Sequence, residues 1–262
     1  MTDEIPTRYR TPAIQAAALP QEAEQAMAQR LKEVRQAIEQ AAHAAGRHPE
    51  EITLIGVSKF FPAAAAISAV RLGLLDLGEN RVQEMLGKQA ELAPLDLNPR
   101  WHLIGTLQKN KVKYIIGRTA LIHSVDSFDL LEEISRRSQQ AGVVTPVLIQ
   151  VNTAGETSKH GFTPASLPEQ AAQLGALPNI QLCGLMTMAP LFDNAEETLP
   201  VFAETRDLFL RLQADHPEWP EFKILSMGMS QDFVQAIACG ATHIRIGTAI
   251  FGARTINPTG QP

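Results

Sequence analysis

The sequence predicts a single (β/α)8 barrel, of the TIM type, preceded by an extra N-terminal helix. Short apolar runs alternate with longer segments whose apolar residues recur at helical spacing, which is typical of parallel βαβ units. There are eight such runs in the 262 residues, and a closed barrel of this kind needs about 250 residues. An open doubly wound sheet is the alternative, but the segment after the first run lacks the glycine-rich fingerprint that such sheets usually carry there.

The predicted elements follow one another without a linker, a repeat or a low-complexity tract. The opening helix covers residues 23–45, because its apolar residues fall on one face. The predicted strands are residues 52–58, 74–77, 101–104, 121–124, 146–151, 180–186, 222–225 and 243–246. The predicted helices between them are residues 63–72, 81–92, 110–116, 128–140, 164–174, 195–213 and 231–238. We therefore expect a flexible extension over residues 1–21 and one barrel domain over residues 22–256.

Composition and charge favour a soluble globular protein of the cytoplasm. The chain is 45% hydrophobic and 19% charged, with a net charge of −5. This mild acidity argues against a nucleic acid or an anionic membrane as the main partner, and no apolar run approaches the length of a membrane span. Cys183 and Cys239 lie in apolar surroundings and are expected to be reduced, and no Cys/His cluster predicts a metal. We expect a monomer.

Polar residues that are unusual for a strand cluster at the C-terminal ends of the predicted strands. Barrels of this kind place their sites at that end. The residues are Lys59, Glu79, Asn80, His102, Ser124, Asn152, Ser226, Arg245 and Thr248. If the strand assignments hold, their side chains converge on one rim.

Lys59 closes the first predicted strand and is followed by Phe60 and Phe61. Loss of hydration in such an apolar setting favours the neutral amine, which is a usable nucleophile toward an aldehyde. Taken alone, a lysine at the end of a strand is more often one that extends its amine to water. The residue by itself therefore leaves both interpretations open.

Arg245 is predicted to point into the mouth of the barrel. Side chains alternate along a strand, so Arg245 faces inward if Ile244 and Ile246 pack outward against the helices. A buried guanidinium needs an anionic or hydrogen-bonding partner, because an unpaired buried charge is costly. That partner is either a ligand or a carboxylate such as Glu79.

The loops after the last two predicted strands suit a phosphate group. Many barrels bind phosphate in these two loops, where glycines allow close backbone approach and hydroxyl groups add donors. The residues concerned are Ser226, Gly228, Gly247 and Thr248. Ser230 is also expected to cap a helix that begins at Gln231.

Two further features remain ambiguous from the residues alone. The polar loop of residues 152–162 is either a lid, with Lys159 reaching over the rim, or a solvated turn. His102 either orients a ligand or is a core histidine with satisfied hydrogen bonds.

Six segments of the chain resemble the pyridoxal phosphate homeostasis proteins, the YggS/PROSC family. The segments occur in the same order as in that family, and the resemblance extends over about residues 23–254. They are residues 57–59, 78–84, 101–105, 158–162, 225–230 and 245–252.

The resemblance implies a barrel like the N-terminal domain of alanine racemase, with pyridoxal 5′-phosphate (PLP) held as a Schiff base on Lys59. It implies that Arg245 faces the pyridine nitrogen and that Asn80 lies beside the cofactor, and we expect His102 to lie beside it as well. Lys159 matches a loop lysine suspected of helping PLP to enter or leave. The phosphate would be received by Ser226, Gly228, Gly247 and Thr248. Family members are regarded as carriers or regulators of PLP without established turnover, so apo PLP enzymes are candidate recipients.

An amino-acid racemase of the same fold is the alternative function. Arg245 cannot keep the pyridine nitrogen protonated as a carboxylate would, so the ring would be a weak electron sink. A two-base racemase also needs a second acid/base, which is a tyrosine in alanine racemase. The two tyrosines of this chain, Tyr9 and Tyr114, are predicted in the extension and on an outer helix. We therefore expect a carrier rather than an enzyme. A barrel without PLP, either a Schiff-base lyase or a regulatory module, is the third hypothesis.

Overall fold

Eight parallel strands close into a barrel in the computed structural model, which describes residues 18–155 and 160–253. The strands are β1 (Thr53–Val57), β2 (Asp76–Glu79), β3 (Arg100–Leu103), β4 (Leu121–Val125), β5 (Thr145–Gln150), β6 (Ile180–Met186), β7 (Ile224–Ser226) and β8 (His243–Ile246). Neighbours in sequence pair with one another, and β8 pairs with β1 to complete the ring. The predicted barrel is confirmed, and the open sheet is excluded.

The helices lie outside the barrel and connect successive strands. Within the described residues they are α1 (Gln21–Ala44), α2 (Ala63–Arg71), α3 (Val82–Leu92), α4 (Phe128–Ala141), α5 (Leu167–Gly175), α6 (Leu199–Asp215), α7 (Phe233–Ala238) and α8 (Thr248–Phe251). Short 3-10 helices cover Pro49–Glu51, Ala93–Leu95, Lys109–Tyr114 and Ala195–Thr198. The barrel strands read as apolar runs because both of their faces are covered.

The opening helix α1 packs against the helices that follow β7 and β8. Its apolar face buries Met27 and Leu31 among others. Arg30 Nε of this helix donates to the carbonyl oxygen of Ile250 at 2.8 Å, and Arg47 Nη1, just after the helix, donates to that of Ala241 at 2.8 Å. These contacts fix α7 and α8, and hence the loops in front of them. The helix starts at Gln21, and residues 1–17 of the predicted extension lie outside the described residues.

Several element boundaries differ from the sequence prediction. The second strand is Asp76–Glu79 and not residues 74–77, because Asp76 and Glu79 are buried with charged partners instead of lying in solvent. The predicted helix over residues 110–116 is a 3-10 helix. A short helix, α8, follows β8 where the sequence predicted only a turn. The position of β2 is decided by its pairing with β1 and β3, and the local hydrophobicity of the sequence does not reveal it.

The start of α7 is also corrected. The helix begins at Phe233 and not at Gln231, and Asp232 Oδ1 accepts the Met229 N–H at 2.5 Å. Ser230 therefore does not cap this helix. Its Oγ instead accepts the N–H of Gly247, at 3.3 Å, across the gap between the two loops.

The interior of the barrel is half apolar and half polar. Side chains of β4, β5 and β6 form a small apolar cluster, separate from the main core between the strands and helices. Its buried members are Leu121, Leu148, Cys183 and Met186. Other strands carry buried polar and charged side chains, among them His102, His123, Ser226 and Arg245, which lead up to the C-terminal rim.

Candidate functional site

A cavity of about 750 Å³ opens at the C-terminal ends of the strands. Its volume falls within the range of about 300 to 1,000 Å³ that is usual for small-molecule sites. Five of the residues singled out from the sequence line it together, and they come from three different strand ends. They are Lys59, Asn80, Arg245, Gly247 and Thr248.

Lys59 lies in a tight turn that ends β1. The N–H of Phe61 donates to the carbonyl oxygen of Ser58 at 3.1 Å. Phe60, the next residue after the lysine, has a φ of 68°, which is rare for a bulky side chain. Its N–H donates to the Glu84 carboxylate at 2.5 Å. This bond fixes the peptide between Lys59 and Phe60, and such enforced backbone strain is typical of functional sites.

A buried lysine of α3, Lys88, ties this turn to β2. Its Nζ donates to the carbonyl oxygen of Ser58 at 2.6 Å and to the carboxylates of Glu79 at 2.5 Å and Glu84 at 3.0 Å. The Ser58 hydroxyl donates to Glu79 Oε1 at 2.6 Å, whereas Glu79 Oε2 is buried without a hydrogen-bond partner among the described residues. Burial raises the pKa of Glu79, the charge of Lys88 opposes this, and the charge of Glu84 adds to it.

Glu79 therefore does not pair with Arg245, the partner considered from the sequence. Arg245 Nη1 donates to Ser226 Oγ at 2.5 Å, and Nη2 donates to the carbonyl oxygen of Thr187 at 2.9 Å. Burial lowers the pKa of Arg245 to about 10, against the attraction of Asp232, so the guanidinium remains charged at neutral pH. Arg245 thus lies in the cavity wall as a fixed cation.

A line of buried side chains continues from Ser226 toward the N-terminal end of the barrel. Ser226 Oγ lies 3.0 Å from His123 Nδ1, and His123 Nε2 lies 3.0 Å from His102 Nδ1. His102 Nε2 lies 3.0 Å from Asp76 Oδ1. Arg100, whose side chain is 62% exposed, donates from Nε to the same Asp76 oxygen at 2.6 Å. We call Asp76, His102, His123, Ser226 and Arg245 the interior chain.

The protonation of these groups follows from burial and from their partners. Burial, followed by repulsion from His102 and Arg245, holds the pKa of His123 well below its usual value. Burial alone would raise the pKa of Asp76, but the hydrogen bonds from His102 and Arg100 outweigh it and lower the pKa to about 2. At neutral pH, His123 is therefore uncharged and Asp76 is a carboxylate.

Three residues that were predicted to lie beside the cofactor are buried behind the cavity wall. Ser226, Gly228 and His102 are buried and are not among the residues that line the cavity. The Gly228 carbonyl accepts the Arg245 N–H at 3.0 Å, and an added Cβ at Gly228 would lie 2.6 Å from that of Ala236. Gly228 therefore serves the packing of α7 against β8. Lys159 lies outside the described residues.

Met229 and Ser230, which lie in the loop predicted to suit a phosphate, line the cavity together with Gly247. Sequence reasoning missed Thr187, which binds the guanidinium through its backbone, and His123. His123 lies within the strand predicted over residues 121–124 and was not singled out. A polar residue in an otherwise apolar strand, as His102 is in β3, was the signal that could have found it.

The residues in the cavity wall fit PLP. Lys59 offers an amine for an aldehyde, and Arg245 offers a cation with directed donors. The Ser230 and Thr248 hydroxyls also line the cavity, where they provide donors for a phosphate, and the Ser230 oxygen is held by the Gly247 N–H. The described residues contain no group of three His, Cys, Asp or Glu side chains arranged to hold a metal ion. No helix in the described part of the chain combines the length and the apolar character that crossing a membrane requires.

Comparison with known proteins agrees with the fold. The family model described as "Alanine racemase, N-terminal domain" matches residues 13–255. A pyridoxal phosphate homeostasis protein of Aquifex aeolicus is 43% identical over 226 residues, which cover 86% of this chain and 97% of that protein. The chain belongs to the family of pyridoxal phosphate homeostasis proteins. Its resemblance to the pyridoxal phosphate homeostasis proteins, seen first in six short segments, therefore extends over most of its length.

Solved structures give the same result for the family's barrel. PipY of Synechococcus elongatus, determined with PLP bound, is 39% identical and superimposes with a TM-score of 0.75 over 86% of this chain and 100% of its own. Alanine racemase of Clostridium difficile is 16% identical, with a TM-score of 0.63 over 82% of this chain and 54% of its own. The second comparison supports the fold alone. The barrel resembling that of alanine racemase, predicted from the sequence, is confirmed.

Proposed function

We propose that this protein binds PLP as a Schiff base on Lys59 and acts in PLP homeostasis as a carrier or regulator. The observation that carries this proposal is the placement of Lys59 and Arg245 in one cavity that the Ser230 and Thr248 hydroxyls also line. The names of the family members and the PLP-bound PipY structure support it. We further propose apo PLP enzymes as recipients.

Each residue of the cavity has a defined task in this function. Bound PLP supplies an electrophilic aldehyde and an electron-accepting ring. Lys59 forms the covalent link, and the turn braced by Glu84 and Lys88 holds its side chain toward the cavity. Arg245 faces the pyridine nitrogen. Gly247 and Thr248 bind the phosphate, and we assign Ser230 to this group in place of Ser226 and Gly228.

The racemase alternative receives no support from the cavity wall. Among the described residues that line the cavity, the titratable side chains are Lys59, Asp193, Asp232 and Arg245. Asp232 Oδ1 already accepts the Met229 N–H, and Asp193 is exposed to solvent. The second base that a two-base racemase needs has no clear candidate among these groups. We therefore favour a carrier.

Borohydride reduction tests the Lys59 assignment. The purified protein should be yellow with PLP, and reduction should attach one phosphopyridoxyl group to the peptide that contains Lys59, as seen by mass spectrometry. Lys59→Ala should be colourless and unlabelled because, in the described part of the chain, no other amine lines the cavity. The matched control is Lys109→Ala, since Lys109 is exposed and pairs with Asp129. Colour and label that persist in Lys59→Ala would overturn the assignment.

Transfer of PLP to an apo PLP enzyme tests the carrier role. Protein loaded with PLP should restore the activity of the apo-enzyme, and Lys159→Ala should slow this transfer without removing the yellow colour. Chiral analysis of amino acids on the same preparation should show no sustained racemisation. Racemisation at about 1 s⁻¹ or faster, an ordinary enzymatic rate, would replace the carrier by an enzyme. Unchanged transfer kinetics in the variant would remove Lys159 from the proposal.

A further inference from the structure

The interior chain has fixed chemical roles at its two ends. Arg245 can only donate hydrogen bonds, and the Asp76 carboxylate can only accept them. The three groups between them, Ser226, His123 and His102, can each donate and accept. The direction of every hydrogen bond in the interior chain therefore depends on which atoms of these three groups carry the protons.

One arrangement satisfies every group of the chain without an added proton. Arg245 donates to Ser226, so the serine oxygen accepts and its hydroxyl hydrogen is available for His123 Nδ1. His123 then carries its proton on Nε2 and donates to His102 Nδ1. His102 carries its proton on Nε2 and donates to Asp76. All four bonds point from the guanidinium toward the carboxylate.

The reverse arrangement is less favourable. If His102 donated to His123 as well as to Asp76, it would have to bind a second proton, and His123 would donate to Ser226. The Ser226 oxygen would then accept two hydrogen bonds. Its own hydrogen would have no further acceptor among the described residues, and a buried unsatisfied donor is costly.

We propose that His102 and His123 are positioning residues that couple the guanidinium of Arg245 to the Asp76 carboxylate through a one-way chain of hydrogen bonds across the barrel interior. The interior chain links the buried cation to a carboxylate by hydrogen bonds, and it keeps the Ser226 oxygen an acceptor beneath Arg245. The orientation of the cation in the cavity is thus set from the opposite end of the barrel. That this orientation matters for the pyridine nitrogen of PLP rests on the function proposed above.

Other charged and titratable groups face the interior chain from the neighbouring elements. The His243 ring lies 6.4 Å from the rings of both His102 and His123, and burial followed by repulsion from His102 lowers its pKa to about 4. The histidine is therefore uncharged at neutral pH. Asp232 attracts Arg245, and Arg100 holds Asp76 from outside. Among the described residues, Asp76 is the one carboxylate that belongs to the interior chain, and Asp232 acts on Arg245 only through its charge.

Nuclear magnetic resonance of the wild-type protein without PLP tests the direction of the chain. In ¹⁵N-histidine-labelled protein at neutral pH, His123 and His102 should both be neutral and carry their protons on Nε2. A ¹⁵N–¹⁵N coupling should connect His123 Nε2 with His102 Nδ1, with the shared proton attached to His123. A proton on His102 Nδ1 or on His123 Nδ1 would overturn the proposal. This readout is independent of whether PLP binds.

Optical titration of the PLP-loaded protein tests the electrostatic coupling. Asp76→Asn removes the negative charge at the far end of the interior chain with little change of shape. It should lower the pH midpoint of the Schiff-base absorbance by roughly half a unit, because the protonated form loses an attractive charge. The matched control is Arg100→Gln. Arg100 also contacts Asp76, but its replacement removes an exposed cation and should not lower the midpoint. An unchanged midpoint in Asp76→Asn would overturn the coupling. A colourless wild type would count against the proposed function alone, since the direction of the chain is measured without PLP.

Discussion

At the scale of single residues, Lys88 stabilises the turn that presents Lys59. It is 4% exposed and neutralises two carboxylates, one of which, Glu79, is itself fully buried. A buried ion pair of this kind adds little stability compared with an apolar replacement of the whole pair, but loss of one partner leaves a charge uncompensated. The Lys59 turn therefore depends on a cation that never contacts the cavity.

Lys88→Met is expected to destabilise the protein by about 3 to 5 kcal/mol, because Glu79 would remain as an unpaired buried carboxylate. The double variant Lys88→Met/Glu79→Gln should recover part of this loss, since the neutral amide removes the uncompensated charge. Urea unfolding of the two single variants and the double variant measures the coupling between the residues. Strictly additive free energies would contradict the ion pair as the source of the effect.

The pKa of Asp76 links a single residue to the acid stability of the protein. The carboxyl is ionised in the folded state down to about pH 2, whereas its usual pKa is 3.8. A depressed folded-state pKa contributes stability above the unfolded-state value, and this contribution is lost as the pH falls through the folded-state pKa. The relevant window therefore lies between the two values.

Between about pH 5 and pH 2, wild type is expected to lose about 2 kcal/mol more unfolding free energy than Asp76→Asn, which has no carboxyl to titrate at this position. Chemical unfolding of both proteins at several pH values gives the comparison. Parallel pH profiles would show that His102 and Arg100 do not hold the carboxylate as the structure indicates.

At the scale of elements, β6 contains an irregularity that only glycine can provide. Gly184 has a φ of 145°, and an added Cβ would lie 1.8 Å from the carbonyl oxygen of Ile224. The pairing of β5 with β6 shifts register between Val147 and Leu148, opposite this point. Bulges of this type bend a strand and are common in barrels. The site depends on it because β7, which carries Ser226, pairs along the same stretch.

Gly184→Ala is expected to destabilise the protein by more than about 3 kcal/mol, because backbone atoms block the new methyl group and the φ is unfavourable. Gly142→Ala is the matched control. Gly142 ends α4 with a φ of 67° and has open space around it, so its substitution should cost only about 1 kcal/mol. Thermal or urea unfolding compares the two, and equal losses would mean that close packing at Gly184 has no energetic weight.

At the scale of the whole molecule, the barrel brings groups from both of its ends into one connected arrangement. Asp76 starts β2 at the N-terminal side, and Arg245 lines the cavity at the C-terminal side, with β3, β4 and β7 supplying the groups between. The helix α1 lies against α7 and α8, and thereby supports the loops that precede these two helices at the cavity. The cavity is therefore supported by the interior chain within the barrel and by α1 outside it.

The sequence by itself determined the barrel and the main cavity residues. Apolar runs such as residues 121–124 and 180–186 are strong signals, because strands covered on both faces must be apolar throughout. Strand alternation also indicates the inward direction of Arg245, and the ends of the strands indicate Lys59 and Asn80. These features depend on periodicity and on position along the chain, and both are properties of the sequence itself.

The tertiary structure alone decided which polar groups meet inside the barrel. Glu79 pairs with Lys88 and not with Arg245, because alternation turns it outward toward α3. Ser226 belongs to β7 and lies beneath the guanidinium, and Ser230 takes its place at the cavity. The link from His123 to His102 joins neighbouring strands at a register that the sequence does not encode locally. Pairings of buried polar groups depend on distances between separate strands, and only closure of the barrel fixes these distances.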